Sequence, residues 1–110
     1  MNVAIITGAS SGLGIEYIKH ICERYGYIQQ YWIIARRRER LEEIAKAYPD
    51  KNIVPIDLDL LEYDSYKSLD EMLKKANADI KVMVNNAGFG VLGEVYGSDA
   101  VKQSQMVDLN

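Results

Sequence analysis

The stretch Thr7-Gly8-Ala9-Ser10-Ser11-Gly12-Leu13-Gly14 lies between an apolar run, Val3 to Ile6, and a segment with helical periodicity. A strand that turns directly into a helix leaves the first N–H groups of that helix without intrahelical acceptors. Those donors, with the positive end of the helix dipole, attract a phosphate or pyrophosphate. Gly8 is expected to take a turn geometry that a Cβ forbids, Gly12 to bring backbone against the phosphates, and Gly14 to let the helix pack tightly. Ser10, Ser11 and Leu13 complete the candidate cradle. The spacing G-x-x-x-G-x-G meets the dinucleotide fingerprint G-x-G-x-x-G in kind but not in register.

A second motif, Asn85-Asn86-Ala87-Gly88, follows another apolar run, Val82 to Val84. With T-G-A-S-S-G-L-G after the first strand and N-N-A-G after the fourth, the chain resembles the short-chain dehydrogenase/reductase family. The resemblance covers the whole chain but corresponds to the front half of such an enzyme. It implies an NAD(P)-dependent oxidoreductase that moves a hydride between nicotinamide and a carbonyl or secondary alcohol. It further implies that Asp57 bonds the adenine amino group and that Leu58 flanks the ring. Asn86, Ala87 and Gly88 would contribute contacts under the adenosine ribose. Asn110, in Val107-Asp108-Leu109-Asn110, matches the family's helix-four segment, whose Asn holds a water in the proton relay, and is the one catalytic candidate in the chain. The alternatives are a strand-end acid capping a loop for Asp57 and a helix Asn with no role for Asn110.

The family's catalytic Ser and its Tyr-x-x-x-Lys pair would follow Asn110. The one Y-x-x-x-K spacing present, Tyr63 with Lys67, precedes the fourth strand and lacks a partner serine, so it reads as coincidence.

Cofactor choice turns on the end of the second strand. An NAD site usually places Asp or Glu there to bond the ribose hydroxyls, whereas this chain has Ala35 and then Arg36. A guanidinium pairs in bidentate fashion with a 2′-phosphate, so NADP is expected over NAD. Arg37 is either a second phosphate contact or a plain surface arginine. Ser11 stands where NADP enzymes of the family often carry a basic residue.

These groups must be positioned by alternating strands and helices. Strands are expected at about Asn2 to Thr7, Tyr31 to Ala35, Asn52 to Asp57 and Ile80 to Val84. Helices are expected at about Ser11 to Tyr25, Arg38 to Tyr48 and from an Asp64 or Ser65 N-cap onward, the third turning Leu69, Met72, Leu73 and Ala76 inward. Gly26 is expected to end the first helix in a left-handed conformation. A glycine-broken loop then leads to a final helix capped by Ser98. The fold class is therefore α/β, a Rossmann-like doubly wound parallel sheet. Pro55 cannot donate to an interior ladder, which makes strand three an edge and gives the order 3-2-1-4. Residues 1–110 read as the N-terminal part of a single NAD(P)-binding Rossmann domain, truncated before the remaining strands. Strand four would then be an unprotected apolar edge prone to self-association.

The chain has 110 residues, is 48% hydrophobic and carries a net charge of −3, a balance that argues against a nucleic-acid partner. With no signal peptide or long apolar span, no membrane association is expected and the default compartment is cytoplasmic. Cys22, alone of its type, reads as a thiol packed among Ile15, Ile18 and Ile21, and His20 as a solvated helix position. Nothing suggests a metal. The resemblance implies a small-molecule carbonyl or alcohol substrate and a homo-oligomer. The competing reading is a catalytically inactive nucleotide-binding or partner-binding module, complete as given.

Overall fold

The structure, a computed structural model, describes residues 1–9, 12–59, 62–85 and 105–108. The elements run β1 (Asn2–Thr7), α1 (Gly12–Arg24), β2 (Gln30–Ala35), α2 (Arg38–Ala47), β3 (Ile53–Asp57), α3 (Tyr63–Lys75), β4 (Asp79–Asn85) and β5 (Gln105–Asp108). They form one sheet of order β3-β2-β1-β4-β5. The first four strands are mutually parallel, and β5 runs antiparallel to β4. Pro55 sits on the edge strand, paired on one side only with Ile33, where its missing N–H costs no interior bond.

Strand alternation sorts the core into two layers. Ala4, Ile6, Tyr31, Ile33, Val82 and Val84 pack under Ile18 and Ile21 of α1 and Leu41 and Ile44 of α2. Val3, Ile5, Trp32, Ile34, Ile56 and Met83 pack under Leu69 and Leu73 of α3. Both faces of β1 are thus covered, and Val3 to Thr7 are fully buried, which is why this parallel strand reads as an unbroken apolar run. A register shift between Val3 and Ala4 skips Lys81 on β4. This bulge reverses the alternation, so Ile80 joins Met83 on the α3 side while Val82 and Val84 take the other.

The helix ends differ from the sequence expectation for identifiable reasons. Only Gly8 among the described glycines has a positive φ, so Gly26 does not end α1 in a left-handed conformation. The chain instead leaves α1 through a turn closed by the Ile28 N–H on the Tyr25 carbonyl, 3.3 Å. The left-handed residue is Asn77, φ 51°, after α3. There the Ala78 N–H reaches the Leu73 carbonyl at 3.0 Å and the Asn77 N–H the Lys74 carbonyl at 3.1 Å, the paired bonds of a Schellman cap. At its other end, α3 begins before the expected Asp64 or Ser65 cap. Glu62 is the capping residue, with no side-chain bond, and the Ser65 N–H is already satisfied by the Glu62 carbonyl. Asp64 then lies in the first turn, where its charge complements the helix dipole.

Three further expectations are corrected. Met72 is 38% exposed rather than packed inward with Leu69 and Leu73, because it borders a groove at the outer edge of β3. Ile15 is 40% exposed; it follows directly on Gly14, at the start of α1, one turn before the buried Ile18. Val107 and Asp108 are not helical: Gln105–Asp108 forms β5 and pairs with β4 from Val82↔Asp108 to Asn85↔Gln105. The β4 edge expected to be bare is therefore covered. A buried apolar strand exposes backbone groups that must be paired, and the segment around Met106 and Val107 satisfies them.

Candidate functional site

The candidate site is assembled at the carboxyl ends of the parallel strands. Strand order reverses at β1, whose two neighbours are β2 and β4. In open α/β sheets the crevice at such a switch point is where ligands bind. The ladder aligns Thr7 with Ile34 and Asn85, and Ala35 with Asp57, so four strand ends share one rim. Cross-links between neighbouring strands fix that rim. The buried Thr7 hydroxyl donates to the Val84 carbonyl at 3.2 Å, tying β1 to β4. The Ala9 N–H donates to the Ile34 carbonyl at 3.2 Å and the Leu58 N–H to the Ala35 carbonyl at 3.0 Å.

Within this frame Gly8 turns the chain with φ 62°. A Cβ on Gly14 would lie 2.5 Å from the Gly8 carbonyl oxygen and 2.7 Å from Ala9 Cα. The start of α1 is thus pressed against the turn more closely than any side chain allows. Gly12 faces the opposite situation, with nothing within 4 Å of where its Cβ would stand. The amides of Gly12 and Leu13 lie in the first turn of α1, where the helix itself supplies no acceptor. A tight turn, a close helix start and an open space over the helix N-terminus together fit a dinucleotide pyrophosphate.

The other candidates fall into place along the rim. Arg36 is exposed immediately after β2, and Arg37 is the extended residue that precedes α2. Neither makes an ion pair among the described residues. Asp57 is exposed at the end of β3, and Leu58 is half-buried against the α3-side cluster. Ser10, Ser11, Asn86, Ala87, Gly88 and Asn110 lie outside the described residues. Tyr63 and Lys67 stand on the first turns of α3, and His20 is exposed on α1. Cys22 is half-buried, and burial raises its pKa. Among the described residues no group of three His, Cys, Asp or Glu could hold a metal. None of their helices is long and apolar enough to cross a membrane.

Sequence reasoning passed over Arg38. Its Nη1 donates to Asp57 Oδ1 at 2.9 Å and its Nε to Glu42 Oε1 at 3.1 Å. The guanidinium hydrogen bond holds the Asp57 carboxyl below its ordinary pKa. The i,i+4 spacing of Arg38 and Glu42 was visible in the sequence, but the partner 19 residues away was not. Arg38 and Asp57 also border a groove of about 420 Å³ that runs along β3 past Trp32, Val54 and Met72. It follows the sheet's outer edge, two strands from β1, and is separate from the glycine turn.

The sequence family described as short chain dehydrogenase matches residues 2–110. The chain belongs to the short-chain dehydrogenase family. An NADP-dependent 3-hydroxy acid dehydrogenase of Schizosaccharomyces pombe is 36% identical over an alignment of 111 positions that covers 96% of this chain and 38% of that protein. A probable NADP-dependent dehydrogenase of Dichelobacter nodosus is 33% identical, over 96% of this chain and 92% of that protein. A short-chain dehydrogenase from Sphingobium yanoikuyae, solved in complex with NADPH, superposes with a TM-score of 0.65 at 26% identity. It covers 81% of this chain and 34% of the solved one. In this sheet the glycine turn after β1 and the β2–α2 junction lie at the same rim.

Proposed function

We propose that this chain forms the cofactor-binding portion of an NADP-dependent oxidoreductase that transfers a hydride between nicotinamide and a small-molecule carbonyl or secondary alcohol. Residues 1–110 belong, on this reading, to a single Rossmann domain. The observation that carries the choice of NADP is the junction Ala35-Arg36-Arg37. No acid stands at the end of β2 to bond ribose hydroxyls, and two exposed arginines that make no ion pair among the described residues follow within two residues. Support also comes from the Schizosaccharomyces pombe relative, which is NADP-dependent by name, and from the Sphingobium yanoikuyae neighbour, solved with NADPH.

The dinucleotide, when bound, would supply the hydride to a carbonyl or accept it from an alcohol. The residues of this chain bind and orient it: Gly8, Gly12, Leu13 and Gly14, with Ser10 and Ser11, at the pyrophosphate; Arg36 and Arg37 at the 2′-phosphate; and Asp57 and Leu58 at the adenine. Asn86, Ala87 and Gly88 are assigned to the adenosine ribose and Asn110 to the proton relay. The deciding experiment is a titration of the full-length protein with NADPH and NADH, before and after Arg36→Ala. The substitution should weaken NADPH much more than NADH, since a charge-assisted bidentate contact is worth about 1.5–3 kcal/mol. Equal losses for the two cofactors would remove Arg36 as the selector.

A further inference from the structure

We propose that Arg38 is a positioning residue for cofactor selectivity: by pairing with Asp57 it offsets a carboxylate that would otherwise oppose the 2′-phosphate of NADPH. The proposal deepens the reading of the site given above and rests on it. Asp57 lies directly across the ladder from Ala35, about 4.8 Å away between adjacent strands, and Arg36 is the next residue. Charges act on one another over one Debye length, about 10 Å, so an unpaired carboxylate one strand from the end of β2 would oppose a phosphate held there. Such a charge would subtract from the attraction that Arg36 and Arg37 provide.

The structure supplies the counter-charge from a third arginine. Arg38 opens α2 and reaches across to β3, with Nη1 2.9 Å from Asp57 Oδ1. Glu42, one helical turn on, holds Nε at 3.1 Å and so orients the guanidinium from behind. The three adjacent arginines are thereby divided: Arg38 is engaged in ion pairs, while Arg36 and Arg37 make none among the described residues. Removing Arg38 would leave the carboxylates of Asp57 and Glu42 without the guanidinium they share. Both partners of the Arg38–Asp57 pair are about half exposed, at 52% and 50%, so its contribution to folding is small. Its effect is exerted on a charged ligand instead.

A double-substitution cycle on the full-length protein tests this. NADPH and NADH dissociation constants are measured calorimetrically for wild type, Arg38→Ala, Asp57→Asn and the double variant. The ratio of the two constants cancels any change in adenine binding, because both cofactors share that end. Arg38→Ala should shift the ratio against NADPH by about two- to fivefold, the range of exposed ion-pair couplings. In the Asp57→Asn background the same substitution should leave the ratio nearly unchanged. An equal shift in both backgrounds would mean that Arg38 acts on the phosphate directly, and would overturn the positioning role. No shift in either background would overturn it as well. A wild-type protein without preference for NADPH would overturn the proposed function together with this inference, so the two failures are distinguishable.

Discussion

Substituting alanine at Gly14 and at Gly12 should push stability and cofactor binding in different directions. At Gly14 the new methyl would lie 2.5 Å from the Gly8 carbonyl oxygen, 2.7 Å from Ala9 Cα and 3.0 Å from the Ala9 carbonyl carbon. Non-bonded carbons rest at about 3.5–4.0 Å, so the backbone of the turn must move by several tenths of an ångström or more. Overpacking costs about 1–3 kcal/mol, and an overlap this deep with backbone atoms belongs to the upper part, about 2–3 kcal/mol, against which the better helix propensity of alanine returns at most about 1 kcal/mol. Gly14→Ala should therefore lose about 1–2 kcal/mol. At Gly12 the methyl meets nothing within 4 Å, so only the propensity gain remains and Gly12→Ala should be as stable as wild type or more so. The same methyl projects into the space assigned to the pyrophosphate and should weaken NADPH binding by about tenfold, or about 1.4 kcal/mol. Urea denaturation, with the m-value checked for constancy, reads the first effect, and calorimetric titration of the full-length protein reads the second. Wild-type stability in Gly14→Ala would refute the packing argument. Undiminished NADPH affinity in Gly12→Ala would refute the cradle.

Two other substitutions probe the scaffold. Asn77→Ala, at φ 51°, should lower stability by about 1–2 kcal/mol, whereas Asn77→Gly should match or slightly exceed wild type; thermal denaturation that ranked the two equally would deny Asn77 its capping role. Burial, aided by the neighbouring Cys22, pushes the Tyr31 hydroxyl from 10.0 to about 12. A raised folded pKa means that the stabilising contribution is intact below pH 10 and is lost as pH climbs from about 10 to about 12. Denaturant midpoints followed through that window should fall more steeply for wild type than for Tyr31→Phe.

The parts of the fold legible in the sequence were those set by local rules. Apolar runs located the four parallel strands, Pro55 placed β3 at the edge, and the two glycine-bearing motifs fell at the ends of β1 and β4. What escaped was decided by distant partners. The pairing of Gln105–Asp108 with β4 depends on which segment reaches an available edge, and Val107 and Asp108 fit the helical pattern of a family segment equally well. Left-handed caps were sought at Gly26, yet Asn77 tolerates the same conformation and the Schellman bonds form there. In the candidate site, Arg36, Arg37 and Asp57 were readable from position. The capture of Asp57 by Arg38 was not, because it joins a helix start to a strand end through space.

The central position of β1 has a consequence for synthesis. Its ladder with β2 closes over a short stretch of chain, but its other ladder needs β4, and the Thr7 hydroxyl bond to Val84 spans 77 residues. At about 5–20 residues per second, a ribosome leaves β1 half-paired for roughly 4–15 s. During that interval Val3 to Ile6, fully buried in the folded sheet, presents an open edge to whatever is nearby. Because contacts this remote in sequence are also slow to form, the same strand that anchors the mature sheet is the segment a nascent chain most needs to have shielded.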